Sequence, residues 1–371
     1  VGDPVRILHV VVNMNRGGAE TLLMNMYRNI DRTQIQFDFL TCKEGIFDSE
    51  ITAMGGRVHR IPYLTEVGHS KYIQALNQFF VSHPEYRIVH SHMDKMSGFV
   101  LRSAKKAGVP TRIAHSHNTS SEGGFAARMY KWAAGSFIRP SSTHFIACSL
   151  KAAEWLFPGR KDQAAILKNG IEYEKFLFNQ EVRVQVRREL EIPEASCVVG
   201  HVGRFNHQKN HAFLIDIFAQ LHADTPNTNT VLVLAGDGPL RPEMEKKVRE
   251  CKLEGKVKFL GVRSDIARLL QAFDTFVFPS LHEGLPVTLI EAQGAGLPCI
   301  ISDVITQEVD MGMELVDYIS LDQPTTWVQA IKRRIAKPTS RHIPANSLTE
   351  RGYDIRTTAR WVEDYYLTMT R

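Results

Sequence analysis

Short apolar runs alternate with amphipathic stretches along this chain, and the alternation occurs twice. In the first series, residues 6–12, 37–42, 57–61, 88–90, 111–115 and 144–147 read as strands. Near-continuous apolar runs bounded by turn residues are what parallel strands buried on both faces require. Between the first two, residues 19–30 carry Leu22, Leu23, Met26 and Ile30 at helical spacing. The character shifts at Lys168-Asn169-Gly170-Ile171, where Asn-Gly marks a tight turn, and a charged helix at 183–191 stops before Pro193. A second series then sets strands at 197–202, 230–235, 257–260, 275–278 and 298–302, with helices at 211–221, 242–252, 266–271 and 287–294. A chain of 371 residues is long for one core. The expected fold is α/β, two Rossmann-like domains facing a central cleft, covering residues 1–168 and 169–355. Ligands of such sheets sit outside the carboxyl ends of the strands. A last amphipathic helix, 357–366, carries Trp361 and Tyr365 on one side.

Composition narrows the setting. Apolar residues make up 43% and charged residues 23%, an ordinary balance for a water-soluble globular chain. The net charge of +5 suits an anionic substrate or membrane surface, and equally a surface of no special purpose. Cys42, Cys148, Cys197, Cys251 and Cys299 are odd in number and form no Cys-x-x-Cys pair, which points to a reducing cytoplasm. No run is long enough to span a bilayer, and no basic-then-apolar leader is readable at the start. No nucleic-acid partner is expected.

The strongest chemical signal is Glu283-Gly284-Leu285-Pro286-Val287-Thr288-Leu289-Ile290-Glu291, after a strand and at the opening of a helix. Pro286 suits a first helical turn, and free N–H groups at a helix start favour an anion. Glu291, about two turns beyond Glu283, could accept hydrogen bonds from a ribose diol. The same pair would also serve as surface acids at a solvent-facing helix start. Arg204 and Lys209, on the loop Gly203-Arg204-Phe205-Asn206-His207-Gln208-Lys209-Asn210, stand where a diphosphate could be neutralised. Asp237, in Gly236-Asp237-Gly238, is weaker and reads first as a turn. Gly17 and Gly18 follow the first strand and permit close backbone approach.

His90-Ser91-His92 and His115-Ser116-His117-Asn118 end two strands of the first series. Metal binding is disfavoured there because no acidic or Cys ligands accompany them. A His at such an edge can polarise a sugar hydroxyl, and a structural role fits each one as well. Residues 128–139, Arg128 to Arg139, mix basic and aromatic residues and suit either an anionic membrane surface or a partly buried helix.

Together these motifs resemble glycosyltransferase family 4, the retaining enzymes of GT-B fold, over nearly the whole chain. The likeness is nearest to enzymes of bacterial capsule and exopolysaccharide synthesis. It implies that Arg204 and Lys209 bind the diphosphate of a nucleoside diphosphate-sugar, with UDP-hexose the expected donor. It further implies that Glu291 binds the ribose and Glu283 faces the sugar. Gly284, Leu285 and Pro286 would lie by the phosphate, Val262 in the Gly261-Val262-Arg263 loop by the base, and Gly17 and Gly18 beneath the diphosphate. His117 is assigned to the reacting sugar, with His92, His115 and Asn118 on the acceptor side. The implied acceptor is a glycan or polyprenyl-linked sugar. No metal or other cofactor is implied, and the final helix, 356–371, crosses back to the first domain. The same residues also fit an epimerase of this fold or a non-catalytic nucleotide-sugar-binding protein.

Overall fold

The computed structural model describes residues 3–337, 340–344 and 347–370. It divides into two units, one running to Ile171 and resuming at Gly352, the other from Glu172 to Arg351.

The first unit holds a parallel sheet of β1 (Val5–Val10), β2 (Ile35–Thr41), β3 (Val58–Arg60), β4 (Ile88–Ser91), β5 (Thr111–Ser116), β6 (His144–Ala147) and β7 (Ala164–Ile166). Their order is β3-β2-β1-β4-β5-β6-β7. Ile7, Phe37, Phe39, Ile88, Ile113 and Ile146 present one apolar face. Leu22, Leu23 and Met26 of the helix Gly18–Asn29 cover it, together with Val362 and Tyr366 of the last helix, Ile355–Thr368. That last helix buries Ile355, Thr358, Ala359, Val362 and Tyr366, a stripe at helical spacing. Trp361 and Tyr365 stack on its flank at 4.8 Å.

The Asn-Gly turn belongs to this packing. A Cβ on Gly170 would lie 2.4 Å from Thr358 Oγ1 and 2.8 Å from the Ile355 Cα, so only glycine lets the chain pass the start of the last helix. Ile171 N–H donates to the Tyr353 carbonyl at 2.8 Å there.

The second unit repeats the pattern with β8 (Cys197–Val202), β9 (Thr230–Ala235), β10 (Val257–Phe259), β11 (Thr275–Phe278), β12 (Cys299–Ser302) and β13 (Val316–Ile319), in the order β10-β9-β8-β11-β12-β13. Its core joins Val199, Leu232, Leu234, Val277 and Ile300 to Leu214 and Phe218 of the helix His211–Asp224, and to Trp327 and Ile331 of Pro324–Ala336. In each unit the sheet reverses direction of growth between its first and fourth strands. That is the switch point at which loops part and leave room for a ligand.

Several elements go beyond those expected. β7 and β13 are short, and the alternating Val316-Asp317-Tyr318-Ile319 lacks the apolar run of a central strand because β13 is an edge. The helix Leu64–Ser82 is interrupted at Gly68, whose φ of +78° breaks the apolar period. Among the described residues, no helix is long and apolar enough to cross a membrane.

Candidate functional site

At the switch point of the second unit, the loop after β8 and the loop after β11 are tied together. Gln208 Nε2 donates to the His282 carbonyl, and Leu281 N–H to the Gln208 carbonyl, both at 2.8 Å. Asn206 caps the short turn His207–Lys209 by accepting from Lys209 N–H, and Asn210 follows with φ +55°. This geometry aims Lys209 at the helix Val287–Gly294. Its Nζ donates to Glu283 Oε1 at 2.6 Å and lies 4.6 Å from the centre of the Phe278 ring. The side chains of both partners are largely buried, at 15% and 9% exposure. Sequence reading gave the two separate duties and missed that they form one pair.

Around this pair the other expected residues fall as follows. Arg204 is exposed and forms no ion pair among the described residues. Glu283, Gly284, Leu285 and Pro286 are buried at the mouth of the helix. Glu291 is half-buried inside it, and burial raises its carboxyl to about 7. Asp237 turns back on its own loop, accepting from Gly238 N–H at 2.7 Å. Gly236, with φ +136°, lets that loop lie against the loop after β8, since a Cβ there would meet the Gly203 carbonyl oxygen at 2.0 Å. Gly236 N–H also donates to the Gly261 carbonyl at 2.8 Å, which brings exposed Val262 alongside Asp237.

The switch point of the first unit has a different chemistry. Gly17 caps the helix Gly18–Asn29, and Glu20 folds over it so closely that a Cβ would lie 2.3 Å from Glu20 Oε2. Above Gly18 the space is open. Beside this turn, the strand order stacks five histidines. His9 on β1 meets His92 through Nδ1 and Nε2 at 2.9 Å, and His92 Nδ1 meets His117 Nε2 at 2.8 Å. In parallel, the Tyr366 hydroxyl meets His90 Nδ1 at 2.6 Å, and His90 Nε2 meets His115 Nδ1 at 3.1 Å. His9, His90, His92 and His115 are buried, and His117 stands part-buried past the end of β5. Burial disfavours the imidazolium, so His9 and His117 are lowered to about 3 and the other three fall well below the ordinary value. All five are neutral imidazoles at neutral pH. His9 was not singled out from sequence, because one His in an apolar strand reads as core until β4 is known to lie beside β1.

Nitrogens of His9, His90 and His92, and of His92, His115 and His117, fall within 4.8 Å of one another, a spacing within reach of a metal ion. In each trio, however, two rings lie face to face: His90 on His92 at 4.2 Å and His115 on His117 at 3.9 Å. Ligands of one ion splay around it instead, with nitrogens roughly 2.0 Å from the metal.

Asn118 turns its amide oxygen to Thr119 N–H at 2.8 Å. The helix Phe125–Gly135 buries Ala134 alone and exposes Phe125, Met129 and Trp132 at 81%, 48% and 63%. Spaced by four and three residues, these three lie on one helical face.

The glycosyl transferases group 1 family matches residues 196–337, and the glycosyl transferase 4-like domain matches residues 17–170. EpsF of Bacillus subtilis (strain 168) is 40% identical over 359 residues, covering 94% of this chain and 93% of EpsF. An Escherichia coli enzyme, UDP-Gal:alpha-D-GlcNAc-diphosphoundecaprenol alpha-1,3-galactosyltransferase, is 26% identical over 81% of this chain and 80% of its own. In fold, the chain is similar to the crystal structure of Anabaena HepE in complex with UDP and glucose, with a TM-score of 0.77 at 19% identity, over 98% of this chain and all of that one.

Proposed function

We propose a specific reaction for this chain, which belongs to the group 1 glycosyltransferases and shares their GT-B fold: retaining transfer of a hexose from a UDP-sugar to a glycan or polyprenyl-linked acceptor. It is a glycosyltransferase of polysaccharide biosynthesis, as the Staphylococcus aureus relative CapH is by name. Support for the donor comes from HepE, whose structures hold UDP and UDP-glucose. Support for a lipid-linked acceptor comes from the name of the Escherichia coli enzyme.

The observation that carries the reading is the Lys209–Glu283 pair at the mouth of the helix Val287–Gly294, with exposed Arg204 on the same loop. Arg204 and Lys209 meet the diphosphate and stabilise the charge that builds on it as the sugar–phosphate bond breaks. The N–H groups of Gly284 and Leu285 add to that field. Glu283 orients Lys209 and faces the sugar. Glu291 accepts the ribose hydroxyls. His117 of the first unit attends the transferred sugar, and His115, buried and held by His90, stays behind it. The anomeric carbon gains oxocarbenium character, and the acceptor hydroxyl attacks from the phosphate side. Its proton passes to the departing phosphate oxygen, so the configuration is kept. Positive side chains and helix N–H groups supply the electrostatics, and the scheme calls on no metal.

The same reading places the enzyme on the inner face of the membrane. Phe125, Met129 and Trp132 enter the headgroup region of an anionic bilayer, with Arg128 and Lys131 beside them. The test of the reaction is a donor panel of nucleoside diphosphate-hexoses with a lipid-linked acceptor extract, products read by mass and anomeric proton coupling. Transfer from a UDP-hexose with an α product is expected. Release of free sugar or an epimer as the sole product, at any acceptor level, would contradict it.

A further inference from the structure

The histidines of the first unit form a directed chain. Ring centres of His9 and His92 are 5.2 Å apart with nitrogens at 2.9 Å, and those of His92 and His117 are 5.1 Å apart with nitrogens at 2.8 Å. Each pair therefore meets edge to edge, nitrogen facing nitrogen, as an N–H···N hydrogen bond requires. A neutral imidazole has one donor and one acceptor, so the tautomers along such a chain are coupled. Fixing the proton at one end fixes it at the other.

The buried end supplies that condition. His9 Nε2 is buried and has no hydrogen-bond partner among the described residues. An orphaned N–H in a protein interior is rarer than an under-used acceptor. The second unit contains the matching case. His201 occupies the place on β8 that His9 occupies on β1, the fifth residue of each strand. His201 Nδ1 lies 2.8 Å from the Val277 carbonyl, so it must carry the proton. Its Nε2, buried and unpartnered like that of His9, is then the bare lone pair. With His9 in the same state, His9 Nδ1–H donates to His92 Nε2, and His92 Nδ1–H donates to His117 Nε2. The remaining proton of His117 sits on Nδ1, the nitrogen with no partner among the described residues.

We propose that His92 and His9 are positioning residues that lock His117 in the Nδ1–H tautomer, so that it meets the substrate as a fixed hydrogen-bond donor and not as a base. The ligand it fits is an acceptor oxygen, a sugar hydroxyl oxygen or ring oxygen, held by a donor that needs no reorganisation during the reaction. The backbone N–H of His117, which donates to Asp94 Oδ1 at 3.2 Å, holds the residue from its other side. The assignment of that ligand rests on the reading of His117 as the imidazole beside the reacting sugar.

The test is long-range proton–nitrogen correlation on the full chain with nitrogen-15 histidine, His117 being assigned by its loss in His117→Gln. Expected is a protonated, pyrrole-type Nδ1 and a bare, pyridine-type Nε2 at His117. His92→Leu removes the donor and releases the tautomer; kcat falls on the order of ten- to a hundredfold with the donor KM nearly unchanged. His92→Asn, whose amide can stand where Nδ1 stands, restores both the spectrum and most of kcat. Each variant's fold is checked by its melting curve, and the wild-type spectrum decides the tautomer even where a variant fails to fold. A proton on Nε2 of His117 in the wild type would overturn the proposal. So would a stoichiometric bound metal lost in His115→Ala, since the lone pairs would then be spent on the ion. If His117→Gln leaves transfer intact while the spectrum is as expected, the role given to His117 fails and the tautomer lock stands.

Discussion

The two units share a strand order and a switch point but place opposite chemistry there. In the second, β8 and β11 bring together a cation and an anion, Lys209 and Glu283, with exposed Arg204 on the same loop as Lys209. In the first, β1, β4 and β5 bring together histidines that burial keeps neutral. Even the matching residues differ in partner: His201 donates to a backbone carbonyl, whereas His9 faces another imidazole. One scaffold thus yields a site built on charge and a site built on directed neutral hydrogen bonds. A transferase acting as proposed, on a nucleoside diphosphate-sugar, has use for both.

The sharpest way to break this contrast is to remove charge from the second unit. Lys209→Ala should cut transfer on the order of 10²- to 10³-fold, because the role proposed for Lys209 is to meet charge that grows in the transition state. It also leaves Glu283 buried without its cation, which lowers stability by about 3 kcal/mol. Lys209→Met with Glu283→Gln should recover the melting temperature and leave transfer lost. Recovery of both in steady-state assays would mean the pair is only a structural tie.

Next in size is the pH response of donor binding. Burial raises Glu291 to about 7, so the carboxylate proposed to accept ribose hydroxyls is lost as pH falls below that value. Donor KM should rise up to about tenfold per pH unit below 7, and Glu291→Gln should abolish the slope. The same raised value lowers stability as pH climbs from 4.5 through 7, since the unfolded carboxyl ionises first.

A smaller effect separates His9 from His201. His9→Leu should lower kcat through the tautomer of His117, while His201→Leu should lower stability by about 1 kcal/mol, read from the melting curve, and leave kcat nearly unchanged. Equal kinetic effects would mean that His9 and His201 play the same part. The histidine chain also sets a sign for acid. His9 and His117 have values lowered to about 3, so their contribution is full above pH 6.5 and is lost as pH falls toward 3. Hydrogen exchange should therefore show protection in the first unit being lost as pH falls from 6.5 toward 3.

The smallest change is expected from Trp132→Glu, which should weaken cosedimentation with anionic vesicles roughly tenfold and leave transfer to a soluble acceptor intact.

Much of this was legible in the sequence where one element carries the signal. Strands Cys197–Val202, Thr230–Ala235 and Thr275–Phe278, and the helix Val287–Gly294, fall where the apolar runs and Pro286 put them. What was not legible depends on sheet order. Lys209 and Glu283 are 74 residues apart and meet because β8 lies next to β11. His9 and His92 are 83 apart and meet because β1 lies next to β4. Residues 128–139 read first as a partly buried helix with basic ends, and the exposure of Phe125 and Trp132 on the helix Phe125–Gly135 is a property of packing, not of period.

The most direct test of the central claim, that the second unit grips a nucleoside diphosphate through Arg204 and Lys209, is calorimetric titration of UDP and UDP-glucose into the wild type and Arg204→Ala. Saturable binding by the wild type, weakened at least tenfold in folded Arg204→Ala, is the expected result. Equal affinity in the two proteins, or no binding to folded wild type, would contradict it.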